Sequence, residues 1–186
     1  MARTPSNLIP MGTPMPPFSL PDAAGGLHDR DQCVGHAGTL VIFMCNHCPF
    51  VVHVADQLAA IAADYTPRGI GFVGINSNDI DVYPQDGPAY MVEFSDRHRL
   101  GFPYLLDATQ VVAHAFDATC TPDFFLYANE GNLVYHGQLD DSRPDSGMQA
   151  TGHDLRRAMN ALLEEKTISD VQVPSIGCNI KWKADD

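Results

Sequence analysis

Cys45-Asn46-His47-Cys48 is the segment of this chain whose residue types and spacing can do chemistry. Two intervening residues let both sulfurs lie on one turn, close enough to bond, and a dithiol that closes into a disulfide is a two-electron redox couple. The segment follows Leu40-Val41-Ile42-Phe43-Met44, a continuous apolar run of the kind that a strand buried on both faces requires. It precedes Val51, Val54, Leu58, Ile61 and Tyr65, whose three-and-four spacing predicts one apolar helical stripe. Pro49 is tolerated only within the first turn, so the helix must start beside Cys48. The unpaired N–H groups of that first turn carry partial positive charge and stabilise a thiolate, the nucleophilic form of cysteine. On this reading Cys45, nearer the strand end and more exposed, attacks a substrate disulfide, and Cys48 resolves the mixed disulfide. A protonated His47 between them would favour the thiolate and make the pair more oxidising. The competing reading is zinc, with His47 or another His as a third ligand, but no second C-x-x-C or H-x₃-H supports it.

The elements needed to hold this site can be read along the chain. Residues 1–17 form an extended arm rich in Pro and Met. Phe18 to Asp22 and Leu27-His28 flank Ala-Ala-Gly-Gly and predict a short hairpin. Pro67 and Gly69 stop the first long helix, and Ile70 to Ile75 is the next strand, completing a β-α-β unit with parallel strands. A helix opens at Asp86-Gly87-Pro88 and runs to about Arg99, and Phe102 to Leu106 is short and apolar. Asp107 is expected to cap a helix over Val111, Val112 and Phe116. Phe124 to Tyr127 and Leu133 to Tyr135 flank the turn Asn129-Glu130-Gly131-Asn132. Thr151, with Asp154 three residues on, is expected to start the last helix, with Leu155, Met159 and Leu162 inward. Residues 167–186 read as an irregular tail after a domain spanning 18–166. The order predicts an α/β thioredoxin fold, a mixed central sheet with helices on both faces, plus the N-terminal hairpin. In that arrangement Thr121-Pro122 is where a cis-proline faces the two cysteines. The polar loop from Asn76 to Asp79, with Asn78 in it, lies at the carboxyl end of the neighbouring parallel strand, near the sulfurs. It either positions a water or proton donor there or is simply a loop of Asx turns.

Composition narrows the classes. Eleven basic residues against 23 acidic ones give a net charge of −12, so phosphate backbones are repelled and nucleic acid is not an expected partner. No apolar stretch approaches the length of a membrane span, and no membrane association is expected. The first ten residues lack the apolar core of a secretory signal, and the five cysteines, Cys33, Cys45, Cys48, Cys120 and Cys178, are an odd number. Both features fit a reducing compartment, and a cytoplasmic protein is expected. Cys120 and Cys178 are candidates for an auxiliary redox pair, with a structural Cys120 and a tail thiol at Cys178 as the alternative.

Gly12 to Leu20 resembles the N-terminal arm of the alkyl hydroperoxide reductase and thiol-specific antioxidant superfamily. Cys45 to Phe50, Ile75 to Asp79, Cys120 to Phe124 and Gly177 to Lys183 resemble a peroxiredoxin-like thioredoxin-fold family within it. The resemblance implies a thioredoxin fold, a C-x-x-C redox centre and no cofactor. The implied partners are a protein or small-molecule disulfide, or a peroxide, together with a reductant such as thioredoxin or glutathione. Two departures from true peroxiredoxins argue against efficient peroxide turnover. Aligned on Cys48, their threonine position is Cys45 and their proline position is Val41, and their active-site arginine has no counterpart near Thr121-Pro122. Thioredoxin's buried acid is also missing from Thr39 to Met44. A thiol–disulfide oxidoreductase is therefore expected first, then a weak thiol-dependent peroxidase, then a metal-binding module.

Overall fold

The computed structural model describes residues 3–184, and residues 1–2 of the expected arm and 185–186 of the expected tail lie outside the described residues. In chain order, β1 (Arg3–Pro5) is followed by the hairpin β2 (Ser19–Pro21) and β3 (Leu27–Asp29), then α1 (Arg30–Cys33) and β4 (Gly38–Phe43). Next come α2 (Pro49–Tyr65), β5 (Ile70–Asn76), α3 (Pro88–His98), β6 (Tyr104–Leu106) and α4 (Val111–Ala115). The chain ends with β7 (Cys120–Thr121), β8 (Asp123–Ala128), β9 (Leu133–His136), α5 (His153–Leu163) and β10 (Ile176–Asn179).

The central sheet has the order β6-β5-β4-β8-β9. β4 lies in the middle, parallel to β5 and antiparallel to β8, and every residue of it is buried. Because side chains alternate along a strand, Leu40, Ile42 and Met44 point to one face and Val41 and Phe43 to the other. The first set packs with Val51, Leu58 and Ile61 of α2, Met91 and Phe94 of α3, and Leu155 and Met159 of α5. The second packs with Val112 and Ala113 of α4 and with Phe18 and Leu20 of the hairpin region. The uninterrupted apolar run in the sequence thus reflects two cores separated by one strand. This is a thioredoxin fold, a mixed central sheet with helices on both faces. No helix among the described residues is long and apolar enough to cross a membrane.

Three local expectations are corrected. The residue capping α4 is Gln110, held in the left-handed region, because Asp107 is one turn too early. Asp107 still reaches the helix from outside, accepting from the Ala113 N–H at 2.9 Å and from the Ser77 hydroxyl at 2.9 Å. The cap of α5 is Gly152 rather than Thr151. The buried Asp140 carboxylate takes the N–H groups of both Thr151 (2.6 Å) and Gly152 (2.7 Å), which pulls Thr151 out of the capping position. The tail is not irregular throughout. Residues Ile176–Asn179 form β10, the middle strand of a second sheet of order β1-β10-β7.

Phe43 shows how tightly the site's supporting strand is fixed. It is fully buried, with ring centroids 5.3 Å from Phe116 and 5.7 Å from Phe125. Phe43→Ala should lower the unfolding free energy by about 3–5 kcal/mol. Urea titration should show a lower midpoint with an unchanged slope.

Candidate active site

β4 ends at Phe43, and Met44 stays on the sheet through its N–H bond to the Ile75 carbonyl, 2.9 Å away. The chain then turns, and Cys48 becomes the N-cap of α2 with extended backbone angles, followed by Pro49 as the first helical residue. Proline has no N–H to lose and its fixed φ suits that position. Both sulfurs are enclosed, with Cys45 1% and Cys48 0% exposed, and all five cysteines are unbridged. Thr121 closes over the pair. Its hydroxyl lies 3.4 Å from the Cys45 sulfur, and its carbonyl, 3.1 Å from the Cys48 sulfur, accepts from Cys48 when that sulfur is protonated. The Thr121–Pro122 peptide bond is cis.

The two sulfurs meet opposite electrostatics. The Cys45 thiol hydrogen-bonds Cys48, and this holds the Cys48 pKa down at about 5 against the opposing effect of burial. The Cys178 thiol, the Val51 N–H at the head of α2 and the Thr121 side chain stabilise the same thiolate further. Cys45 is pushed well above the usual thiol range by that bond to Cys48, by burial and by the charge of Asp86. The expectation of an exposed Cys45 is corrected, since both cysteines are buried. The helix begins after Cys48, so the Val51 N–H of its first turn acts on Cys48, while Cys45 sits one turn back beside a carboxylate. A proton kept on Cys45 lets that thiol donate to the Cys48 thiolate.

Asp86 is the site residue that sequence reasoning missed. In the sequence it marks only a helix start, and no local pattern points to a loop acid that folds under a distant turn. It is fully buried. Its Oδ1 accepts from the Asn46 N–H at 2.8 Å, and its Oδ2 accepts from Asn78 Nδ2 at 2.7 Å. Burial pushes its carboxyl up, but the contacts from His47, Asn78 and the Asn46 N–H outweigh this and hold it below the usual range. His47 turns its imidazole to Asp86, with Nδ1 2.6 Å from Oδ2, and stacks on Tyr83 at 5.7 Å between centroids. Asn76 Nδ2 donates to the Asp86 carbonyl at 2.7 Å, and the Asn78 N–H bonds Asn76 Oδ1 at 3.1 Å in an Asx turn. Asn76 and Asn78 thus position Asp86, and through it the Asn46-His47 turn. Tyr104, also missed, donates to Asn46 Oδ1 at 3.0 Å.

The proposed pairing of Cys120 with Cys178 is not what the structure assembles. Cys178 lies opposite Thr121 in the β7–β10 register, and Asn179 lies opposite Cys120. Alternation therefore puts Cys120 on the other face from Thr121 and Cys178. The Cys120 thiol is directed to the Pro122 carbonyl at 3.8 Å, and burial pushes it far up, whereas Cys178 reaches Cys48. The acid absent from β4 appears one strand over. Asp123, opposite Phe43, is buried with Oδ1 2.9 Å from His136 Nε2, and burial raises its pKa. It shares the Phe43 face, opposite α2. Cys45, His47 and Asp86 are the one group among the described residues that could hold a metal, their ligand atoms all lying within 4.8 Å of one another.

The sequence matches the AhpC/TSA family over residues 11–136. Among solved structures, an uncharacterized conserved protein from Geobacillus kaustophilus is 46% identical, with a TM-score of 0.97 over 100% of this chain and 99% of its own. A hypothetical protein from Sinorhizobium meliloti is 48% identical, with a TM-score of 0.95 over 98% and 100%. A secreted Mycobacterium tuberculosis disulfide oxidoreductase is 20% identical, with a TM-score of 0.60 over 77% and 95%. Nothing matches among curated proteins.

The electrostatics give a direct measurement. Thiolate absorbance at 240 nm should fall away on acidification with a midpoint at about 5 and be lost in Cys48→Ser. In Cys45→Ala the midpoint should move up, because the thiol that contributes most to holding the charge on Cys48 is gone. An unmoved midpoint in Cys45→Ala would remove the coupling described here.

Proposed function

Since this chain belongs to the AhpC/TSA family, and so to a thiol-based redox group of proteins, we propose that it is a thiol–disulfide oxidoreductase working through Cys48 and Cys45. The observation that carries the reading is the placement of Cys48 as the cap of α2 beside Cys45, with Thr121 3.4 Å from one sulfur and 3.1 Å from the other. The Cys48 thiolate attacks one sulfur of a protein or small-molecule disulfide. A Cys48–substrate bond forms, the substrate S–S bond breaks and one substrate thiolate leaves. Cys45 then gives up its proton to the departing thiolate and attacks the Cys48 sulfur, which closes Cys45–Cys48 and releases the second substrate sulfur as a thiolate. Two electrons pass to the substrate, and a thiol reductant such as thioredoxin or glutathione restores the dithiol. Thr121 holds both sulfurs, while Asp86 keeps the proton on Cys45 in the resting state. A reducing compartment such as the cytoplasm belongs to this reading.

Peroxide reduction is the second reading, favoured by the thiolate at Cys48, the position aligned with the peroxidatic cysteine. Against it, the groups holding that thiolate are thiols, a hydroxyl and a backbone N–H rather than a guanidinium.

Insulin-disulfide reduction and peroxide consumption should be assayed side by side with dithiothreitol as reductant. We expect insulin reduction that drops to background in Cys48→Ser and slows in Cys45→Ser. Full turnover by Cys48→Ser would overturn the assignment. Peroxide consumption without insulin reduction would select the second reading, and one equivalent of tightly bound zinc in the purified protein would replace both with a metal site.

A further inference from the structure

The thiol pair has a third sulfur beside it. β10 lies antiparallel on β7, with Cys178 directly opposite Thr121, the residue that touches both Cys45 and Cys48. Cys178 is buried in the same core cluster as those two cysteines, and its side chain hydrogen-bonds Cys48. The approach is close. A Cβ added at Gly177 would lie 1.9 Å from the Thr121 carbonyl oxygen, so only glycine lets the strand sit this near. The strand is also held on both flanks. Ser6 N–H bonds the Ser175 carbonyl at 2.9 Å, and Lys181 N–H bonds Asn78 Oδ1 at 2.9 Å. Beyond it, Trp182 stacks on His114 with centroids 4.3 Å apart. An extended segment paired with the edge beside Thr121, presenting a sulfur to Cys48, has the geometry of a bound disulfide-bearing strand.

We propose that Cys178 is a second resolving thiol for Cys48, so that the protein has two alternative disulfides, Cys45–Cys48 and Cys48–Cys178. The proposal rests on Cys48 as the nucleophile of the reading above. The exchange is balanced within the chain. Cys178 loses its proton and attacks the Cys48 sulfur of the Cys45–Cys48 disulfide; a Cys48–Cys178 bond forms as the Cys45–Cys48 bond breaks. Cys45 leaves as a thiolate and takes up a proton, with no net oxidation. In the reduced protein, burial and the neighbouring Cys48 charge push Cys178 up to about 12, and closing Cys48 into a disulfide removes that charge. Attack on a Cys48–substrate mixed disulfide follows the same path, with the substrate thiol leaving in place of Cys45.

Tryptic mapping of the full chain tests this. Cleavage after Arg30, Arg68, Lys166 and Lys181 leaves Cys45 and Cys48 together in peptide 31–68 and Cys178 in peptide 167–181. Diamide-oxidised Cys45→Ser, alkylated in denaturant, should yield a monomeric cross-link of these two peptides that fragmentation places at Cys48. The link should vanish in Cys45→Ser/Cys178→Ser. Complete alkylation of Cys48 and Cys178 in the single variant, or a link seen only between two chains or at Cys33, overturns the proposal. Should Cys45→Ser lose its circular-dichroism signature, the unsubstituted protein decides: a fraction carrying the cross-link supports the second disulfide, and Cys45–Cys48 alone with Cys178 fully alkylated refutes it. A cross-link in protein that reduces no insulin would leave this proposal standing and remove the activity. Insulin reduction without any cross-link would do the reverse.

Discussion

Cys48 is the N-cap of α2, and the arrangement of the site depends on that placement. The cap residue of a helix faces backbone N–H groups that have no partner within the helix, and a sulfur anion is a suitable one. Pro49 fixes where the helix begins, so the favourable field falls on Cys48 and not on Cys45. The burial of both sulfurs sharpens the asymmetry, since charge interactions strengthen where water is excluded.

The remaining structure answers the demands of a buried thiolate. A charge with no solvent needs donors, and the fold brings them from three directions: Cys45 from the preceding turn, Thr121 from β7, and Cys178 from β10. The Asp86 carboxylate works on the opposite side of the pair. It ties down the Asn46-His47 turn and makes ionisation of Cys45 costly, so that Cys45 acts as donor to Cys48. The Asn76-Asn78 loop acts through Asp86 and has the further task of holding the tail at Lys181.

Enclosure also has a consequence for access. With both sulfurs nearly inaccessible, a disulfide can reach Cys48 only if something moves. β7 has two residues and depends on β10 for its pairing, and β10 depends in turn on β1 and on side chains of the Asn78 and Gln110 loops. The segment that covers the site is therefore held by this second sheet and by contacts at its flanks rather than by the main sheet.

What the sequence determined by itself was local. The apolar run before Cys45, the stripe after Pro49 and the turn residues at Gly69 and Gly131 each carry their periodicity or backbone preference within a few neighbours. From them followed the strand–C-x-x-C–helix junction, the β-α-β unit and the thioredoxin fold. Which sulfur carries the charge was not legible, because it depends on groups far apart in the chain: Asp86 lies 40 residues from Asn46, and Thr121 lies 76 from Cys45. A loop carboxylate, a threonine before a proline and a cysteine in a tail have no periodicity to mark them. Only the tertiary structure could bring Cys178 to Cys48 and turn Cys120 away, because strand register fixes which of two adjacent residues faces the site, and the register of β10 on β7 is set by packing and by the glycine at 177.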